Sequence, residues 1–346
     1  MTLIRKNPFD LHMLTENRQE LYGVATLWII VFHSYLCEVY FPTIVGKLIT
    51  YGNMGCEIFL FLSGICLYFS YHKDERLLPF MERRLIRLYV PIALICTWYW
   101  LYQLVQSGLS LGSLKTLAAN YLTLSLWLTG DQQIWFVSLL MLVYFLYPYI
   151  YHVLFDGKHT GLSTVLLLAL TVVLTLLLKY TNAKYFDTVA VAVTRLPVFL
   201  IGCYFGRKVY KGDPCPRWLI PVCAVVFCGV IAVLNRDVLH SICRRYFYLF
   251  GGIALTFVLA WFFHAVHWKP IHAVFRFLGN MSLELYLLNI ILIRLYRLTP
   301  LYHPDTPSAI GYILLLVVNI ALAYIAYLLG KRITPPIQKW ILGSSK

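Results

Sequence analysis

A chain of 346 residues that is 60% hydrophobic, with a mean hydropathy of +0.72, is too apolar for a soluble globular domain. Its 29 Lys and Arg against 15 Asp and Glu give a net charge of +14. The cations sit in short segments between apolar runs, where topology accounts for them better than nucleic acid, which is excluded as a partner.

The first seventeen residues are polar and mixed in charge, and read as a short cytoplasmic segment without a cleavable signal. Ten apolar spans follow, at 21–41, 52–71, 85–105, 134–155, 162–179, 189–210, 218–235, 246–266, 277–298 and 309–330. Each approaches the ~20 residues that cross ~30 Å of hydrocarbon. This predicts an all-α, polytopic membrane bundle in a single domain over 1–346, without a soluble domain. Leu111–Leu128, interrupted by Lys115 and Asn120, is expected to be a re-entrant or surface segment. Making it a crossing would reverse the charge bias of everything downstream, whereas ten crossings give the inner segments roughly twice the cations of the outer ones and leave both termini cytoplasmic. Tyr and Trp crowd the span ends, as in Trp98-Tyr99-Trp100, where an interfacial belt belongs. No internal repeat is evident, which weighs against an inverted-repeat transporter.

Nine Cys, most of them in apolar runs, contain no Cys-x-x-Cys pair, so neither a disulfide framework nor a metal site is expected. His264 and His267, beside Trp268 and Lys269, read as interfacial.

The polar residues inside the spans carry the chemistry. His33 stands in the first, and an imidazole in hydrocarbon is unfavourable unless it has partners. Glu57 stands in the second. Along ideal helices at ~1.5 Å per residue, His33 lies ~18 Å above the inner end of its span and Glu57 ~7–8 Å below the outer end of its own. The two are expected to meet, with His33 taking a proton from a hydroxyl and Glu57 orienting the ring. Arg83, Arg84 and Arg87 occupy one helical turn at the inner end of the third span. Three guanidinium groups suit bidentate phosphate binding. Arg195, ~9 Å deep in the sixth span, is expected to partner Glu57 or a substrate group. Glu284, in the ninth span, faces either a cavity or a helix-end ion pair. Arg294 and Arg297 are expected to snorkel to the outer interface. Ser63 has no base at nucleophile spacing. Phosphate-grade cations on the inner side and a deeper proton acceptor fit acyl transfer from a coenzyme A thioester to a hydroxyl.

Six segments in order resemble the membrane acyltransferase family 3 over about Arg18 to Gly330. Arg18 to His33 resembles the opening helix with its catalytic His. Gly55 to Gly64 resembles the glycine, acidic, Phe-rich, Ser-Gly segment, and Phe80 to Pro91 the Arg-rich entrance of the third helix. Trp135 to Pro148, Arg195 to Gly202 and Leu278 to Asn289 complete the series. Two positions depart from the pattern. Tyr22 stands where most members carry a basic residue, with Arg18 one turn earlier, and Asn289 stands where the late pattern ends in His.

The resemblance implies an O-acyltransferase that uses acetyl-CoA or another acyl-CoA as co-substrate, with no metal. His33 and Glu57 would be catalytic, and Arg83, Arg84 and Arg87 would bind the coenzyme. Arg195, Trp135, Glu284 and Asn289 would contact substrate. The acceptor would be the hydroxyl of an envelope polysaccharide or lipid-linked glycan, reached by a multi-pass plasma-membrane protein among membrane lipids, as a monomer or a homo-oligomer. The rival reading is a transporter or exporter of a glycan-like or amphipathic solute, without chemistry.

Overall fold

The computed structural model describes residues 9–236, 239–303 and 308–344. Arg5 and Lys6, two of the cations of the N-terminal segment, lie outside them. The described chain is helical, with no strand among the described residues. Eight helical segments are long and apolar enough to cross a bilayer: Arg18–Cys37, Val45–His72, Leu77–Ser107, Trp135–Phe155, Thr160–Thr181, Ala183–Lys211, Ser241–Ala265 and Ala309–Ile341. A bent pair, Lys269–Asn280 with Ser282–Tyr296, makes a ninth if it is one span.

The ten expected crossings therefore become eight or nine. The seventh, predicted at 218–235, is the Leu219–Leu234 helix of 16 residues, ~24 Å long and short of the hydrocarbon thickness. Leu111–Leu128 contributes no span-length helix. It forms Leu111–Tyr121 and Ser125–Thr129. Ser110 caps the first, accepting from the Ser113 amide at 3.1 Å while the Ser113 hydroxyl accepts from the Ser110 amide.

The helices group into two compact units. One comprises the described residues up to Ile29, Asn53–Asp74 and Tyr147–Asn280. Its densest packing is between Gly55–His72 and Leu196–Lys211. A Cβ on Gly64 would meet the Cys203 amide nitrogen at 2.7 Å, and one on Gly206 would meet Tyr68 Cβ at 2.6 Å. Contacts advance in the same direction along both helices, so the pair is parallel and the backbones touch where side chains are absent. Gly202 and Gly206 supply the small-xxx-small spacing that permits this approach.

The other unit comprises Ile30–Gly52, Glu75–Leu146 and the chain from Met281. It is built on the mutual packing of Leu77–Ser107, Ser282–Tyr296 and Ala309–Ser344.

Candidate active site

The α-helix Arg18–Phe32 ends immediately before His33, and a 3₁₀ segment, His33–Cys37, takes over. Such tightening inside a span alters which face a side chain presents, and it recurs at functional sites. Glu38, at φ 58°, closes the segment in the left-handed region, and the Ser34 hydroxyl donates to the Val39 carbonyl at 3.1 Å. His33 is half-buried there.

His33 Nδ1 lies 2.6 Å from Asn289 Oδ1. Asn289 is on the Ser282–Tyr296 helix and is itself buried at 3% exposure. Tyr312, on the Ala309–Ser344 helix, donates from its hydroxyl to the backbone carbonyl of Ile30.

Around them in the same unit lie other predicted residues. Glu284, buried in the first turn of the Asn289 helix, is attracted by the charge of Arg87. Arg87 is exposed and Arg83 half-buried. Arg84 is committed to aromatic faces, 5.6 Å from the Phe80 centroid and 5.8 Å from that of Tyr144. Trp135 opens the Trp135–Phe155 helix, half-buried and edge-on to Phe136. The Phe136 amide donates to Tyr286 Oη at 3.2 Å.

Glu57, the carboxylate expected to orient His33, pairs with Arg195 within its own unit. Glu57 Oε1 accepts from Arg195 Nε at 2.9 Å, with both side chains almost fully buried at 1% and 3% exposure. Arg195 stands at a helix break: Ala183–Val193 stops, Thr194 and Arg195 turn, and Leu196–Lys211 begins. Pro197 lacks the N–H that a continuous helix would direct at the Val193 carbonyl, the Arg195 amide turns to the Ala192 carbonyl at 3.0 Å, and the Val191 carbonyl so freed accepts from Arg195 Nη1 at 2.5 Å. The alternative of an Arg195–Glu57 partnership, left open by the sequence, is the observed one. The second oxygen, Glu57 Oε2, has no hydrogen-bond partner.

A profile of the acyltransferase domain matches residues 22–328, nearly the whole chain. The chain belongs to the acyltransferase-3 family. Searches among curated proteins and among solved structures gave no significant match.

Both departures of this acyltransferase from the family pattern have structural partners. Tyr22 stacks on Phe59, centroids 4.9 Å apart at 11°, and Arg18 Nη1 donates to Cys66 Sγ at 3.4 Å. Asn289 holds His33. Outside the spans, burial pushes the Cys215 thiol up to about 11, which keeps it neutral and non-nucleophilic at pH 7.

The sequence reading missed four features. Arg294, expected at the interface, is tied to Asp131 Oδ1 at 3.0 Å and to Gln133 Oε1 at 3.4 Å; Trp100 Nε1 also donates to Gln133 Oε1. Buried Glu20 accepts from His272 Nδ1 at 2.9 Å and from Arg276 at 2.5 Å, while His272 Nε2 donates to the Val266 carbonyl. Both ring nitrogens of His272 face acceptors, which fixes that ring as a structural donor and not a base. A cavity of about 650 Å³ is lined by Lys158, Arg207, Lys208 and Lys211 at the start of the Thr160–Thr181 helix. Tyr312 is the fourth, and nothing in its local sequence distinguishes it from the other 25 Tyr.

Proposed function

We propose that this acyltransferase moves an acyl group, acetyl in the first instance, from cytoplasmic acyl-CoA to a hydroxyl of an envelope or lipid-linked glycan. The observation that carries the reading is the half-buried His33 held through Nδ1 by a buried amide, within a chain that matches the acyltransferase profile almost end to end.

His33 acts through Nε2. As the acceptor oxygen attacks the thioester carbonyl, its proton passes to Nε2. The tetrahedral intermediate then collapses, the C–S bond breaks, and the coenzyme thiolate takes the proton back from the imidazolium. No covalent enzyme intermediate is required. Arg83 and Arg87 are the proposed phosphate ligands, with Arg84 packed behind them on Phe80 and Tyr144. Trp135, Asn289 and Glu284 are the proposed substrate contacts, Glu284 on the side of Arg87. Glu57 and Arg195 form a buried charged pair that supports the helix break at Arg195. The protein is integral to the plasma membrane, and the eight helices of span length, an even number, leave both termini cytoplasmic.

The test is twofold. Mass spectrometry of surface glycans from cells with and without the gene should show loss of an acyl mass, and the purified chain should release CoA from acetyl-CoA when given envelope glycolipid. A transporter would do neither.

A further inference from the structure

Four cations converge on the cavity of about 650 Å³. Lys158 comes from the turn before the Thr160–Thr181 helix, and Arg207, Lys208 and Lys211 from the end of Leu196–Lys211. Asp213 is the only carboxylate in the lining, so the positive charges outnumber it four to one. The spans Thr160–Thr181 and Ala183–Lys211 are joined by Asn182 alone, which returns Thr160 and Lys211 to the same membrane face. The N-terminal segment lies on that face too: the Phe9 carbonyl accepts from the Cys215 amide at 2.8 Å, and the Arg217 guanidinium stands 5.8 Å from the Phe9 centroid. The cation bias makes this face the cytoplasmic one.

Two of the four cations are half-buried and already placed. Arg207 Nη1 donates to Thr160 Oγ1 at 2.7 Å, and its guanidinium stands 5.7 Å from the Phe155 centroid. That bond uses one of five guanidinium donors. Lys208 Nζ is 3.6 Å from Asp213 Oδ2 and 5.4 Å from the Tyr204 centroid. Lys158 and Lys211 are exposed, and neither ammonium has a hydrogen bond or ion pair among the described residues. Like charges crowded together repel, and an anionic phosphate between them offsets that repulsion.

We propose that this cavity binds the headgroup of an anionic phospholipid from the cytoplasmic leaflet. One wall belongs to a helix that faces lipid: Thr160–Thr181 is the least buried of the eight span-length helices, at 11%. Leu162 lines the cavity and also begins an apolar strip with Val165 and Leu166, which are 59%, 61% and 61% exposed. Acyl chains lying on that strip set their phosphate where Lys158, Arg207, Lys208 and Lys211 converge. A soluble phosphate would use the cations and leave the strip unused, whereas a phospholipid uses both. The bound lipid ties the start of Thr160–Thr181 to the end of Leu196–Lys211. A ligand that binds only the folded chain stabilises it by mass action.

The test needs no turnover and does not depend on the role of His33. Purified full-length protein in zwitterionic micelles is titrated with phosphatidylglycerol or phosphatidylcholine, with retained lipid read by native mass spectrometry and stability by the unfolding temperature. Phosphatidylglycerol should be retained and should raise the unfolding temperature, and phosphatidylcholine should do neither. Each Lys or Arg near a membrane surface is worth about a fivefold change in affinity for anionic lipid, so Lys158→Gln with Lys211→Gln should weaken phosphatidylglycerol binding ~25-fold. Neither substitution breaks a bond of the fold. Lys47→Gln with Lys184→Gln removes the same charge from exposed positions elsewhere and should leave binding unchanged. Equal losses in the two double variants would mean general charge attraction and would overturn the proposal. Glycerol phosphate that protects as well as phosphatidylglycerol would make the cavity a site for soluble phosphate. Weakened acetyl-CoA binding in Lys158→Gln with Lys211→Gln would make it the coenzyme's. Either result overturns the lipid assignment.

Discussion

His33 Nδ1 and Asn289 Oδ1 lie 2.6 Å apart, from positions 256 residues apart in the chain. An amide orients an imidazole without bringing a charge into hydrocarbon, where an ionised carboxylate would need its own counter-ion. The carboxylate of Glu57 has such a counter-ion in Arg195, and the division of labour follows: a neutral pair holds the proposed base, and a separate charged pair neutralises itself.

Replacing His33 with Ala should abolish acyl transfer while leaving insertion and folding intact. The loss of a general base is expected to lower turnover ~10²–10⁴-fold. Turnover of the purified variant with acetyl-CoA and envelope glycolipid measures it, with circular dichroism as the folding control. Near-native turnover would exclude His33 from the chemistry.

The Glu57–Arg195 pair makes a prediction about stability. Removing one partner of a buried ion pair strands the other charge, at about 3–5 kcal/mol, whereas removing both is often nearly neutral. Arg195→Met should therefore lower the unfolding temperature in lipid more than Arg195→Met combined with Glu57→Gln. If the double variant is as unstable as the two single losses added together, the pair is not coupled as drawn. Glu57→Gln alone should also lower the unfolding temperature, since it leaves the buried Arg195 charge uncompensated.

Much of the fold was legible in the sequence because hydrocarbon imposes two crude demands, length and apolarity. The limits are equally physical. Leu219–Leu234 is apolar enough but too short, and a window of hydropathy does not show where hydrogen bonding stops. The break at Arg195 had a local signal in Pro197, and the close approach of Gly55–His72 to Leu196–Lys211 had one in Gly202 and Gly206. The partners of His33 had none, because periodicity gives the face a residue occupies and not what it meets. Depth counting along ideal helices assigned Glu57 to His33 and left an Arg195–Glu57 pair open; it could not see the helix break that holds Arg195 on Glu57, or that an amide would hold the ring.

The glycine packing is directly testable. Gly64→Val puts side-chain carbon where the Phe199 carbonyl and the Cys203 amide already stand. Backbone cannot move aside as a flexible side chain can, so the variant should fail to accumulate in membranes or should melt far below the native chain. Gly161→Ala, which meets nothing within 4 Å, is the matched control and should behave as native.

Two basic clusters compete as docking sites for the coenzyme phosphates: Arg83 with Arg87, and the cavity lined by Lys158, Arg207, Lys208 and Lys211. Exposed charges are screened over ~8 Å at physiological ionic strength, so a true phosphate ligand gives a salt-sensitive loss of affinity on truncation. Arg87→Ala should weaken acetyl-CoA binding in low salt by more than it does in high salt. Lys211→Ala should not alter it. The reverse result, read by equilibrium binding to the chain in lipid, would move the coenzyme to the cavity.

The last prediction concerns sidedness. The cation bias of the short segments puts Arg87 at the cytoplasmic face, whereas the segment around Tyr51 should lie at the outer one. A coenzyme bearing several phosphates cannot enter hydrocarbon, so it must dock inside and send only its acyl arm along a protein-lined path. An acceptor glycan approaching from outside then receives the acyl group near His33, and the group crosses while the coenzyme does not. In a variant made free of accessible Cys, single Cys substitutions beside Arg87 should label from the cytoplasm and be protected by acetyl-CoA. Those beside Tyr51 should label from outside. Labelling of both from one side, or reaction driven by external acetyl-CoA in sealed right-side-out vesicles, would reverse this orientation.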